Sequence, residues 1–275
     1  MPCIAVATDF SPRADRAVDR AKLLQRQLGG QLCIIHATEL PSDETPDLAS
    51  LERKMRAATG LSGTEEHVSF LYPSGAVSTA IAKSCEEHDA QMLLLGPARY
   101  NSLGDFFLGT AVDYILRSTT RPVLVVKARA NAEYADIVAG TDFSPGSAHA
   151  ILTAAKMFPE ARFHVMHAWC VPFQAFNKDA YVADEIEAES KALMDKFMAE
   201  LASIDSNLAD ATSHLVRGDT VEALRRGLEL NPASLVVLGS HGTSGFRQAT
   251  IGSVTSDLLR YLDADTLVIN SADAH

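Results

Sequence analysis

Short apolar runs alternate with amphipathic stretches of helical length along the whole chain, and the pattern occurs twice. In the first half the runs are Cys3 to Ala7, Leu32 to Ala37, Val68 to Leu71, Met92 to Leu95 and Val123 to Val126, all short enough and apolar enough to read as strands. Between the first two, Arg13 to Leu28 sets Ala17, Ala21, Leu24 and Leu28 at helical spacing. Strands that are apolar on both faces and separated by helices predict a parallel sheet covered on both sides. The expected fold is therefore α/β, with two tandem doubly wound domains, each a five-stranded parallel sheet with helices on both faces.

The duplication is also written in the residues. Thr8-Asp9-Phe10-Ser11-Pro12 returns unchanged as Thr141-Asp142-Phe143-Ser144-Pro145. His36-Ala37 is matched by His167-Ala168, Gly75 by Gly218, Leu94-Leu95-Gly96 by Val237-Leu238-Gly239, and Gly109-Thr110 by Gly252-Ser253, all in the same order. These echoes divide the chain into residues 1–130 and 131–275, with a short linker near Lys127 to Ala135 that keeps the halves packed together. The last strands, Pro122 to Lys127 and Thr266 to Asn270, would each leave an apolar edge open. Pairing these two edges would make the chain an internal pseudo-twofold dimer.

The length of 275 residues suits two such domains, and a composition of 47% hydrophobic and 21% charged residues is that of a fully folded protein. The net charge of -11 opposes binding to nucleic acid or to an anionic membrane. The acidity is uneven, with 14 basic and 15 acidic residues up to Ala130 against 10 and 20 beyond it. Cys3, Cys33, Cys85 and Cys170 show no CxxC pair or zinc-finger spacing, so reduced thiols in a cytoplasmic protein are expected. The first residues lack the pattern of a signal peptide, and no run approaches a membrane span.

Ligands of open α/β sheets bind beyond the carboxyl ends of the strands, and there the second half carries the chemistry. Its fourth strand, Ser234 to Leu238, is followed by Gly239-Ser-His-Gly242, nine residues, and then Gly252-Ser253-Val254-Thr255 opening a helix. Glycines let backbone N–H groups approach an anion, and the start of a helix offers unpaired N–H groups and the positive end of its dipole. The hydroxyls of Ser253 and Thr255 could add hydrogen bonds to phosphate oxygens. This cradle contains no lysine. It is neither a Walker motif nor a dinucleotide fingerprint nor a nucleophile elbow.

A G-x-x-G, nine residues and G-[ST] on an α/β unit that begins strand-Thr-Asp-x-Ser resembles the universal stress protein family, here in tandem over nearly the whole chain. The resemblance implies ATP, ADP or another adenine nucleotide, with or without a divalent ion such as Mg, and a regulatory role in stress resistance with an unidentified protein partner. Carried over by motif position, Thr141 and Asp142 face the nucleotide, Ala168 and Leu238 flank the adenine, and Gly239, Gly242, Gly252, Ser253, Val254 and Thr255 hold the phosphates. His241, inside the loop, either touches a phosphate or faces solvent. The first half departs from the pattern: Gly96-Pro97-Ala98-Arg99 lacks the second glycine, and Pro97 removes a donor. Nucleotide is therefore expected mainly in the second half. No general base stands out, so any hydrolysis would be slow. A slow ATP hydrolase and a nucleotide-free interaction scaffold remain open alternatives.

Blander roles are equally specific. Ser11-Pro12 and Ser144-Pro145 fit a helix N-cap followed by proline, Asp142 could brace that turn, and His36 and His167 fit strand-end hydrogen bonding better than metal binding. The aromatic segment Trp169 to Tyr181 could close as a lid or pack under the next helix.

Overall fold

The computed structural model describes residues 3–39, 47–97, 110–171, 180–230, 235–240 and 252–270. The first half runs β1 (Cys3–Ala7), α1 (Pro12–Leu28), β2 (Gln31–Ile35), α2 (Leu48–Thr59), β3 (Val68–Leu71), α3 (Val77–Glu87), β4 (Ala90–Leu95), α4 (Thr110–Ser118) and β5 (Val123–Val125). The second repeats the order as β6 (Asp136–Gly140), α5 (Pro145–Met157), β7 (Arg162–Trp169), α6 (Ala180–Ile204), β8 (Thr212–Arg217), α7 (Thr220–Leu230), β9 (Leu235–Gly239), α8 (Ser253–Tyr261) and β10 (Asp265–Ile269), with a short 3-10 turn at Ser206–Leu208.

The strands form a single ten-stranded sheet in the order β3-β2-β1-β4-β5-β10-β9-β6-β7-β8. Every pairing is parallel except β5 with β10, which meet antiparallel through Thr266 opposite Val125 and Val268 opposite Val123. The two edges that the sequence left open therefore close on each other, as expected.

Successive strand residues point to opposite faces, and both faces are apolar. One core layer is continuous across the halves and packs α1, α2, α5 and α6 through residues such as Leu24, Met55, Ile151 and Phe197. The opposite face is covered by α3 and α4, with Ile81 and Ile115, and by α7 and α8, with Leu224 and Leu258.

The join between the halves is polar and buried. Asp265, the first residue of β10, is 0% exposed, and Arg20 of α1 is 2% exposed. Asp265 Oδ1 accepts hydrogen bonds from the backbone N–H groups of Lys127 (2.7 Å) and Ala128 (2.8 Å). Its Oδ2 accepts from the Tyr134 hydroxyl at 2.5 Å and faces Arg20 Nε at 3.4 Å. The Arg20 guanidinium lies 4.2 Å from the centre of the Tyr134 ring and donates to the Ala132 carbonyl at 2.6 Å. One helix of the first half, the linker and one strand of the second are thus tied at a single carboxylate. The residues that follow the two last strands also cap helices of the opposite half. Lys127 Nζ donates to the Leu262 carbonyl beyond α8 at 2.5 Å. Asn270 Nδ2 donates to the Leu116 carbonyl at 3.2 Å and to the Thr119 carbonyl at the end of α4. Both interactions satisfy carbonyls that a helix end leaves unpaired.

Candidate functional site

The repeated pentapeptide folds identically in both halves. Ser11 Oγ accepts from Ala14 N–H and Ser144 Oγ from Ser147 N–H, with Pro12 and Pro145 opening the helices, so both serines are N-caps. Thr8 Oγ1 accepts from Phe10 N–H at 3.0 Å, and Thr141 Oγ1 from Phe143 N–H at 2.9 Å. Asp9 and Asp142 accept from the N–H groups of Ser11 and Ser144 at 3.0 and 3.1 Å. Asp142 therefore does brace the turn, while its side chain stands exposed at the mouth of the crevice. In Asp9, burial raises the carboxyl's pKa, but the hydrogen bonds from Ser11 prevail and hold it below the ordinary value.

This turn drives Phe10 and Phe143 to φ of 59° and 63°, a left-handed conformation that costs about 1–2 kcal/mol for a residue with a Cβ. Stacking offsets the strain. Phe10 lies on the His36 ring and Phe143 on the His167 ring, each at a centroid distance of 4.1 Å. The histidines are fixed in turn, since Nδ1 of His36 donates to the Thr8 carbonyl at 2.9 Å and Nδ1 of His167 to the Thr141 carbonyl at 2.8 Å. The recurrence of His-Ala is thus explained by strand-end architecture.

In the second half these turns border a crevice of about 270 Å³ at the carboxyl edge of the sheet. It lies where the chain order reverses between β9 and β6, the usual ligand position of open α/β sheets. Thr141, Asp142, Ala168, Leu238, Gly239, Gly252, Ser253, Val254 and Thr255 all line it. His241 and Gly242 lie outside the described residues. Sequence reasoning missed the rest of the wall: Met166, Leu224 and Leu258 are an apolar floor, and Gly140, Ser147, His167 and Thr220 complete the lining. These come from β6, β7, α5, α7 and the inner face of α8, whose approach is a matter of packing. Met166 can sit under α7 because position 227 is glycine; a Cβ there would overlap the Met166 side chain.

Two motif residues also have roles in holding the fold together. The Thr255 hydroxyl is buried and donates to the Gly239 carbonyl at 2.9 Å, so its proton is not available to a phosphate; it ties α8 to the end of β9. Gly239 is closely packed, since a Cβ there would stand 3.2 Å from the Gly146 carbonyl oxygen of α5. Gly96 is tighter still, with a Cβ 2.9 Å from the Arg13 carbonyl oxygen. The first glycine of the loop thus sits against the helix start in both halves.

Among the described residues, no side chain caps the start of α8. Gly252 occupies the N-cap without a side chain to cap the helix, and its own N–H is committed to the Ser240 carbonyl at 3.0 Å. The N–H groups of Ser253, Val254 and Thr255 are the orphan donors of the first turn. Asp142 is the one acidic residue among the described lining residues, and none of them is Lys or Arg. No group of three or more His, Cys, Asp or Glu converges to hold a metal among the described residues.

The corresponding groove of the first half, about 720 Å³, is lined by Asp9, His36, Thr38, Glu39, Asp47 and Lys54 among others. Among the described residues it draws its walls from α2 and not from Gly96 or α4. Arg99 and Gly109 lie outside the described residues. Trp169, at the start of the aromatic segment, is the buried last residue of β7, with Arg217 5.5 Å from its ring centre. Phe173 and Phe176 lie outside the described residues, as does the side chain of Tyr181.

These features define a duplicated, doubly wound α/β protein with a crevice at one switch point. The chain belongs to the universal stress protein family, whose sequence profile matches residues 3–127 and again 133–270. A curated universal stress protein of Mycolicibacterium smegmatis (strain ATCC 700084 / mc(2)155) is 26% identical over 188 residues, covering 66% of this chain and 62% of that protein, so this chain spans less than two thirds of its relative. Among solved structures, one from Pseudomonas aeruginosa UCBPP-PA14 superposes with a TM-score of 0.72 at 19% identity, covering 98% of this chain and 93% of the other. A universal stress protein of Archaeoglobus fulgidus DSM 4304 gives 0.68 at 16% identity, with 98% of both chains covered. At such identities the likeness is one of fold. No helix among the described residues is long and apolar enough to cross a membrane.

Proposed function

We propose that this protein is a stress-response regulator that binds ATP or a related adenine nucleotide such as ADP in the crevice of its C-terminal half. In this reading it works in the cytoplasm with a protein partner and turns the nucleotide over slowly or not at all. The observation that carries the reading is the start of α8, which no side chain caps among the described residues, beside an apolar floor. A nucleotide needs that pairing of anion donors with a surface for a base.

The base would lie against Ala168 and Leu238, with Met166, Leu224 and Leu258 beneath, while the N–H groups of Ser253, Val254 and Thr255 and the Ser253 hydroxyl receive the phosphates. Asp142 would meet sugar hydroxyls or a divalent ion, since a bare carboxylate repels phosphate. Among the described lining residues there is no Lys or Arg, and the one carboxylate, Asp142, braces its own turn, which supports a site that supplies binding with little transition-state stabilisation. The units 1–130 and 131–275 would then differ in role, the first being built on the same turn with an incomplete glycine motif.

Calorimetric titration with ATP and ADP tests this on the wild type and on Ser253→Pro. Proline suits the first helical position, and Gly252 before it already has an extended ψ of 142°, so the fold is retained while one backbone donor and one hydroxyl are removed. Hydrogen bonds to charged groups contribute about 1.5–3 kcal/mol, so affinity should fall at least about tenfold. One nucleotide per chain is expected. Two equivalent sites would overturn the asymmetry, and no binding at millimolar nucleotide would overturn the function.

A further inference from the structure

Three of the four cysteines share one apolar layer. Cys3 opens β1, Cys33 lies within β2, and Cys85 sits in α3; all three are buried on the face covered by α3 and α4. The register sets Cys3 opposite Gln31 and Ala5 opposite Cys33, which makes the two strand cysteines diagonal neighbours on the same face. Their sulfurs are 2.8 Å apart. Since a disulfide is about 2.0 Å long, only about 0.8 Å separates this contact from a covalent bond.

Two features shape how that gap closes. The ladder joining β1 to β4 is irregular between Cys3 and Ile4, so the first residue of β1 is not held in regular register on both sides, and a strand end is where local opening admits a small reagent. Diagonal neighbours in a sheet stand about 7–8 Å apart, at or beyond the usual Cα span of about 4.4–6.8 Å for a disulfide. Closure therefore draws the start of β1 toward β2 and leaves a strained bond that is readily reduced.

We propose that Cys3 and Cys33 are a reversible dithiol–disulfide pair, a redox modification site oxidised by small hydroperoxides. The Cys3 thiol donates its hydrogen to the Cys33 sulfur, which holds the Cys33 thiol below its ordinary pKa and pushes that of Cys3 up. Cys33 is accordingly the attacking group. Its thiolate forms an S–O bond to the hydroperoxide as the O–O bond breaks, giving a sulfenic acid and, after protonation, an alcohol or water. Cys3 then attacks that sulfur, forming the S–S bond as the S–O bond breaks; its proton leaves with the hydroxide as water. The thiols lose two electrons and two protons, and the hydroperoxide takes up both. Cys85 stays protonated, its pKa pushed up to about 12 mainly by burial.

The test uses the full chain carrying Cys170→Ser, which removes the exposed thiol. The protein is treated with a small excess of hydrogen peroxide, quenched with catalase, denatured, alkylated with iodoacetamide and mapped without reduction by mass spectrometry. The expected result is loss of two of its three alkylation sites, a Cys3–Cys33 cross-linked peptide, and return of both sites after dithiothreitol. A bond to Cys85, oxygen adducts on Cys33 without a cross-link, or three sites still alkylated at peroxide levels that oxidise Cys170 of the wild type would each overturn the proposal. The nucleotide reading is unaffected by any of these outcomes.

Discussion

Replacing Asp265 with Asn should be among the most damaging conservative changes in this protein. Asn keeps an oxygen to accept from the Lys127 and Ala128 N–H groups, but puts an amide where Oδ2 receives the Tyr134 hydroxyl and faces Arg20. The cavity is unchanged, so the loss is electrostatic. The Arg20 guanidinium stays buried at 2% exposure without its countercharge, and breaking a buried pair from one side costs about 3–5 kcal/mol. Solvent screening does not soften this, since Asp265 is 0% exposed. The weakened Tyr134 bond is part of the same loss and is not added to it. About 4 kcal/mol corresponds to a fall in melting temperature of about 8–16 °C for domains of 150–250 residues, and toward the lower end for a longer chain. Tyr134→Phe is the control: it removes one hydrogen bond to a charged acceptor, worth about 1.5–3 kcal/mol, and leaves the ion pair. Urea unfolding followed by far-UV circular dichroism and by the single tryptophan, Trp169, gives both values. If Asp265→Asn lies within about 1 kcal/mol of the wild type, or costs less than Tyr134→Phe, the join is not held by this charge.

Burial pushes the Lys127 ammonium down to about 8 from 10.5, against the raising pull of Asp263 and Asp265. Between those values the unfolded chain holds a proton that the folded chain has released, so this group makes stability rise with pH from about 8 to about 10. Lys127→Met should flatten that rise by up to about 3 kcal/mol, measured as the difference from wild type in denaturant titrations at each pH; parallel curves would count against it. At position 143, with φ of 63°, glycine should be more stable than alanine by about 1 kcal/mol, although both lose the contacts with His167 and Phe197; alanine matching glycine would show that the strain is absent. ATP turnover by the purified protein should stay below about 1 per second, the low end of ordinary enzymes, and sustained faster release of phosphate would make it a catalyst.

Local signals in the sequence determined the elements and the order of the site. Apolar runs fixed the strands because a strand covered on both faces tolerates little else, and Ser-Pro fixed the starts of α1 and α5 because capping and the proline φ act within one turn. The crevice could be located because strand ends and helix starts come together in any doubly wound sheet, whatever the packing. Tertiary structure decided what depends on register and close approach. It turned the Thr255 hydroxyl onto the Gly239 carbonyl, made Gly239 a packing residue against α5, supplied Met166, Leu224 and Leu258 as the floor, and stacked Phe143 on His167. It also brought Arg20 to Asp265 and Cys3 to Cys33. Neither pair follows from sequence separation, because the first depends on how the two halves join through β5 and β10 and the second on the parallel register of β1 and β2.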